Sequence, residues 1–270
     1  MHCPADYSED RAGVLVVPGE GRLIYVADGH GGHEVVDLFA RLLRGCFSAA
    51  LEQEKHEKHG GSCDFQRVLR TTFDALADSI NGADGGVADV MGCCVVVAFV
   101  DDAGRGLHVA TTGDSAYAVR MLHRPYTYTH DWTMHLPVVE VRAGRLRADE
   151  VRRGRLGGRA MSRAFGDREV PGLIHEPDVR SFDVAGCAFE LVLFTDGVYS
   201  DLVVAYEMQE LVQPGEIRVL EKMRMALQRS LVRLLDEHAG APLEELARAV
   251  VDLAPSRLDD ATAVCVRAGP

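Results

Sequence analysis

The sequence predicts an α+β fold in which antiparallel sheets are layered with helices. Apolar runs occur in pairs joined by short turns, and stretches of helical period occur in blocks. Strand and helix do not alternate regularly, as a doubly wound parallel sheet would require.

The elements follow in order. Val14–Val17 and Leu23–Ala27 read as a strand pair joined by Pro18-Gly19-Glu20-Gly21, a turn by composition. From His33 the period changes, and Val35, Leu38, Leu42, Cys46 and Ala50 fall on one helix face, which runs out into the polar stretch Glu52–His59. Residues Ser62 to Asp64 offer a cap for a second helix, with Phe65, Leu69, Phe73, Leu76 and Ile80 on its buried side. Cys93–Val100 is continuously apolar, as a central strand covered on both faces would be. A turn at Asp101-Asp102-Ala103-Gly104 leads into Gly106–Ala110, and Tyr117–Leu122 follows Gly113-Asp114-Ser115. Residues 123–185 are irregular, polar and rich in arginine; Ala188–Thr195 is a further buried strand. Helices at about Glu216–His238 and Pro242–Leu253 precede a last strand, Ala263–Val266.

A chain of 270 residues, 47% of them hydrophobic, can bury one large core, so residues 1–270 are expected to form a single domain. Lys and Arg total 29 against 41 Asp and Glu, a net charge of −12, which argues against nucleic acid and anionic membranes as partners. The 7 cysteines show no CxxC or zinc-finger spacing, and Cys46, Cys93, Cys94, Cys187 and Cys265 sit in or beside apolar segments, as buried free thiols do. That usage implies a reducing compartment. Met1-His2-Cys3-Pro4 has neither the basic nor the apolar region of a signal peptide, and no apolar run spans a bilayer. The expectation is a cytoplasmic or nuclear protein, not secreted, and a monomer.

The most informative stretch is Asp28-Gly29-His30-Gly31-Gly32, at the junction of a buried strand and an amphipathic helix. It places a carboxylate beside a glycine whose bare backbone can approach a ligand, so a hard cation could take a side-chain and a carbonyl oxygen. The imidazole of His30 follows at once. As a bare pentapeptide it is also an ordinary strand-to-helix turn. Other acidic residues share the setting of a strand end: Glu9-Asp10, Asp114, Asp196 and Asp259-Asp260. If these carboxylates converge, a multivalent cation must offset their repulsion, and all-oxygen ligands favour Mg²⁺ or Mn²⁺ over zinc.

In chain order, Ser8-Glu9-Asp10, Val26-Ala27-Asp28-Gly29-His30-Gly31-Gly32, Thr112-Gly113-Asp114-Ser115, Met161-Ser162-Arg163-Ala164-Phe165-Gly166-Asp167, Phe194-Thr195-Asp196-Gly197-Val198 and Leu258-Asp259-Asp260-Ala261-Thr262 resemble the metal-dependent protein phosphatases of type 2C, the PPM family. The resemblance implies a four-layer αββα sandwich, two antiparallel sheets flanked by helix pairs. It implies a serine/threonine phosphatase holding two Mn²⁺ or Mg²⁺ ions per subunit, with phosphoproteins as substrates. Asp28 would bridge the metals, the Gly29 carbonyl would bind one, and Asp196 and Asp259 would hold the second. Asp10 and, in the outer shell, Glu9 would act mainly through metal-bound waters, with Asp114 a marginal ligand. A hydroxide bridging the ions would attack phosphorus, and His30 would protonate the leaving alkoxide; a purely structural His30 is the plainer alternative.

Ser115 lacks a nucleophile elbow and reads as a turn residue, while Ser162-Arg163 with Gly166-Asp167 reads equally as a local brace or a substrate contact. Departures from the family are informative. Its phosphate-binding arginine is replaced by Pro4 or Ala5, and Ser200, with Asp201 beside it, stands where many members carry a third-metal aspartate. The flap segment, at about 123–185, is short and crowded with arginines between 142 and 168. That stretch is either a solvated loop or a basic lip in which Arg152, Arg153 and Arg155 bind acidic substrate. A pseudophosphatase serving as a binding module and a phosphatase for small phosphoesters are the rivals.

Overall fold

A computed structural model describes residues 8–59, 62–83, 86–102, 105–122, 126–152, 155–199, 217–254 and 259–269. The strand pair at the start is β1 (Asp10–Val17) and β2 (Gly21–His30), antiparallel with Asp10 opposite Asp28. Then come α1 (Glu34–Lys58), α2 (Phe65–Asn81) and the short α3 (Val87–Val90). Helix α1 keeps its polar end: Glu52 to Lys58 stay helical, and His59 ends the helix in the left-handed conformation. Asp64 caps α2 by accepting from the backbone N–H of Gln66 and Arg67, which satisfies donors the first helical turn leaves open.

The apolar run becomes β3 (Gly92–Asp101), followed by β4 (Gly106–Thr112), β5 (Ala116–Met121) and β6 (Tyr126–Thr129). The segment expected to be irregular holds α4 (Pro137–Arg142), a ribbon of β7 (Val151–Arg152) and β8 (Arg155–Leu156), then β9 (Phe165–Gly166) and β10 (Asp178–Asp183). The chain closes with β11 (Phe189–Phe194), α5 (Ile217–Glu237), α6 (Leu243–Val251) and β12 (Ala263–Ala268).

Strands β1-β2-β3-β4-β10 form one antiparallel sheet, with β9 also pairing β3, and β12-β11-β5-β6 form a second. The alternation along β2 explains the layering. Leu23, Tyr25 and Ala27 pack against Phe39, Leu43, Phe47 and Phe73 of α1 and α2. Ile24 and Val26, on the opposite face, pack against Tyr117, Val119, Leu191 and Leu193 of the second sheet. The outer face of that sheet, including Ala118 and Val192, is covered by Leu227, Leu231, Leu246 and Val250 of α5 and α6. Side chains of period two thus serve two cores at once, and the order of layers is helix, sheet, sheet, helix. Full burial of a phenylalanine such as Phe39 or Phe47 contributes roughly 1.5–3 kcal/mol. No helix among the described residues is long and apolar enough to cross a membrane.

Candidate active site

Both sheets deliver carboxylates to one edge of the sandwich. On the first sheet, β2 runs to His30 and places Asp28 across from Asp10 on β1 and from Cys94 on β3. Gly29 makes the approach of β1 possible: its N–H donates to Glu9 O at 3.2 Å, and a Cβ there would lie 2.8 Å from that same oxygen. On the second sheet, Asp114 occupies the turn before β5. The preceding Gly113 has φ +90°, and a Cβ on it would lie 2.2 Å from Cys94 Sγ. Asp196 follows β11. Asp28, Asp114 and Asp196 each bring a carboxylate oxygen within 4.8 Å of the others.

Burial and mutual repulsion raise the carboxyl pKa values across this cluster. Burial pushes the Asp10 carboxyl up to about 6, and the charges of Asp260 and Asp259 add to the rise. Burial raises Asp28 well above the carboxylate range, helped by the charge of Asp196 and then those of Asp10 and Asp114. Asp196 is raised to about 7 by burial and then by Asp114, and burial likewise raises Asp114. Asp10 Oδ1 and Asp114 Oδ1 are buried with no hydrogen-bond partner. Buried acceptors left open among converging carboxylates suit a hard divalent cation, which takes oxygen ligands and removes the repulsion.

The Asp259-Asp260 loop closes on this cluster through Gly197. A Cβ at Gly197 would lie 1.9 Å from Asp260 O, so only glycine lets the loop come so near. Glu9 N donates to Asp260 Oδ2 at 3.2 Å, and Thr262 N donates to Thr195 Oγ1 at 3.0 Å. Asp259 is exposed, yet its charge acts on Asp10, Asp114 and Asp196.

Next to Asp28, His30 Nε2 lies 2.5 Å from Asp167 Oδ2. Asp167 is fully buried and its Oδ1 accepts from Arg159 Nη2 at 2.5 Å. Arg163 is held by the buried Glu140 of α4 at 2.6 Å and donates to Glu176 O at 2.6 Å.

The family model for protein phosphatase 2C matches residues 18–226. The chain belongs to the protein phosphatase 2C family. The probable protein phosphatase 2C 67 of rice (Oryza sativa subsp. japonica) is 31% identical over 197 residues, 67% of this chain and 54% of the rice protein. The match therefore spans only about half the length of that relative. Among solved structures, a C. elegans sex-determining protein has a TM-score of 0.67 at 21% identity, covering 96% of this chain and 60% of its own. A serine-threonine phosphatase 2C from Toxoplasma gondii has a TM-score of 0.57 at 20% identity, covering 83% and 86% respectively. At these identities the likeness shows the fold alone, which this chain shares with the Toxoplasma phosphatase 2C.

Within this protein phosphatase 2C fold, Asp28, Asp114 and Asp196 stand together, Asp10 adjoins them through Thr195 Oγ1 at 2.9 Å, and Glu9 meets the loop that carries Asp259 and Asp260. The arginines of the flap are mostly engaged: Arg145, Arg147, Arg159, Arg163 and Arg168 each pair with a carboxylate. Arg152 and Arg155 lie exposed on the β7–β8 ribbon, with Arg155 Nη1 donating to Gly158 O at 3.0 Å. Arg153, Pro4, Ala5, Ser200 and Asp201 lie outside the described residues. Ser115 and Cys93 are fully buried. The partnership of His30 with Asp167, and of Asp167 with Arg159, is the feature that sequence reasoning missed. No local signal marks it: Asp167 follows Ser162-Arg163-Ala164-Phe165-Gly166, not an apolar run of the kind that precedes Asp28 or Asp196.

Proposed function

We propose that the chain is a Mn²⁺- or Mg²⁺-dependent protein serine/threonine phosphatase, with residues 1–270 as one phosphatase domain. The observation that carries this reading is the convergence of Asp28, Asp114 and Asp196 within 4.8 Å, with two buried oxygens of the neighbourhood unpartnered. Asp28, Gly29, Asp196 and Asp259, with Asp10, Asp114 and, in the outer shell, Glu9, would hold two divalent cations. Bound there, the cations would supply an activated water and charge to offset the phosphate and its transition state.

The rest falls to the chain's own side chains. A serine or threonine alkoxide is strongly basic and leaves only with a proton, and His30, beside Asp28 and one-fifth exposed, is placed to supply it. Asp167 orients that imidazole. The exposed Arg152 and Arg155 offer positive charge to acidic stretches of a phosphoprotein. The thiols of Cys46, Cys63, Cys93, Cys94, Cys187 and Cys265 are free, which supports a reducing compartment, cytoplasm or nucleus; we read the chain as a monomer.

The test is hydrolysis of a phosphothreonine peptide by the purified protein. Activity with Mn²⁺ that stops on chelation is expected. Full activity in excess EDTA rejects the reading, and cation binding without turnover favours a pseudophosphatase acting as a binding module.

A further inference from the structure

We infer that Arg159 is a positioning residue for His30, acting through Asp167; the assignment rests on the phosphatase reading above. Asp167 is fully buried, and both of its carboxylate oxygens are engaged. Oδ2 lies 2.5 Å from His30 Nε2, and Oδ1 accepts from Arg159 Nη2 at 2.5 Å. The same Nη2 donates to Val90 O at 2.8 Å. One nitrogen of the flap segment therefore joins the carboxylate behind His30 to the end of α3.

The backbone around Asp167 is fastened to the same place. Asp167 N donates to Met91 O at 2.9 Å, Arg168 N to Ala88 O at 2.9 Å and Glu169 N to Asp89 O at 3.1 Å. Asp167 has φ +50°, a conformation that non-glycine residues hold only where the surroundings impose it. Beneath the pair, a Cβ on Gly92 would lie 2.5 Å from His30 Nε2 and 2.7 Å from Asp167 Oδ2. The imidazole and the carboxylate thus lie directly on bare backbone.

This arrangement fixes which ring nitrogen faces the site. Nε2 gives its hydrogen to the buried carboxylate, and Nδ1 meets no protein partner among the described residues. A carboxylate behind a histidine sets tautomer and ring orientation. Without Arg159, Oδ1 of Asp167 would be buried and unpaired. The carboxylate could then rotate, and the ring would lose its fixed aim. Arg159 is itself partly exposed, so a neutral replacement leaves no cavity in a core.

The experiment compares the wild type with Arg159→Met and Arg159→Lys on two esters in Mn²⁺: a phosphothreonine peptide and p-nitrophenyl phosphate. Arg159→Met should lower kcat for the peptide about tenfold, a part of the roughly 10²–10⁴-fold that a positioned proton donor contributes, with KM unchanged. The aryl ester, whose phenolate needs no proton, should be little affected, and Arg159→Lys should restore part of the loss. In a His30→Ala background Arg159→Met should add nothing. A separate readout needs no turnover: in the ¹⁵N spectrum of the His30 ring, assigned with His30→Gln, Nε2 should keep its hydrogen toward Asp167 throughout the titration in the wild type, leaving Nδ1 as the nitrogen that takes up and gives the proton, whereas in Arg159→Met the two nitrogens should share that role. An unchanged ring spectrum, equal losses on both esters, or a KM effect alone overturns the assignment. Failure of the wild type to hydrolyse either ester rejects the phosphatase reading instead, while the ring spectrum still decides what Arg159 does.

Discussion

Thr195 donates its hydroxyl to Asp10 Oδ2 at 2.9 Å, across 185 positions of sequence, and accepts from Thr262 N with the same oxygen at 3.0 Å. One hydroxyl thereby joins the first strand of one sheet to the end of β11 and the entry to β12 in the other. It is also one of the few donors offered to the acidic cluster.

Replacing Thr195 by valine should therefore act on both stability and cation binding. The substitution keeps the shape and removes one of the two threonine hydroxyls, with that of Thr262, that hydrogen-bond Asp10, at a cost of about 0.5–1.5 kcal/mol. Denaturant unfolding of the chelated protein measures the first effect, and Mn²⁺ titration measures the second, with weaker binding expected. An unchanged midpoint would mean that the hydroxyl of Thr262 suffices for Asp10.

The chelated protein should lose stability as pH rises. Asp10 moves from 3.8 to about 6 and Asp196 from 3.8 to about 7 on folding, in both cases chiefly through burial. The folded state therefore holds protons that the unfolded state has released. That contribution is complete below pH 3.8 and is lost as pH rises through about 6 and 7. Melting in EDTA should occur at a lower temperature at pH 8 than at pH 5, and Mn²⁺ should raise Tm more at pH 8. Equal shifts at both pH values would count against cation binding at these carboxylates.

Gly197→Ala tests how the Asp259-Asp260 loop is held. The added methyl would lie 1.9 Å from Asp260 O, so the loop must retreat. A loss of about 1–3 kcal/mol is typical of such overpacking. Mn²⁺ affinity should fall while the circular dichroism spectrum is kept. Retention of full affinity would show that the loop contributes no ligand.

Neutralising Arg152 and Arg155 should raise KM for acidic phosphopeptides and spare kcat, because uniform binding alone is removed. The effect should shrink with salt, since exposed charges are screened within about 10 Å at 0.1 M. An unaltered KM at low salt would make the ribbon a solvated loop.

Much of this architecture is legible in the sequence because burial writes it there. The alternation along β2, the unbroken apolar run of β3 and the helical spacing from Val35 to Leu51 each correspond to the face that is covered. Strand β10 was not legible: Asp178-Val-Arg-Ser-Phe-Asp is a polar edge strand in which Phe182 is the deeply buried side chain. Strand β9 is only two residues long and exists through its pairing with β3. Acidic residues at strand ends could be seen, but their convergence depends on how two sheets stack. The contact between His30 and Asp167 joins positions 137 apart, and no local pattern encodes it.

The span of the site also sets when it can come into being. Glu9 and Asp260, which meet through a hydrogen bond, are separated by 251 positions. A ribosome moving at roughly 10 residues per second needs about 25 seconds to pass from one to the other. Throughout that interval the growing polypeptide carries Asp10 and Asp28 without the loop that seals their edge of the sandwich. This acidic edge of the sandwich must therefore be completed late, after translation has delivered the Asp259-Asp260 loop.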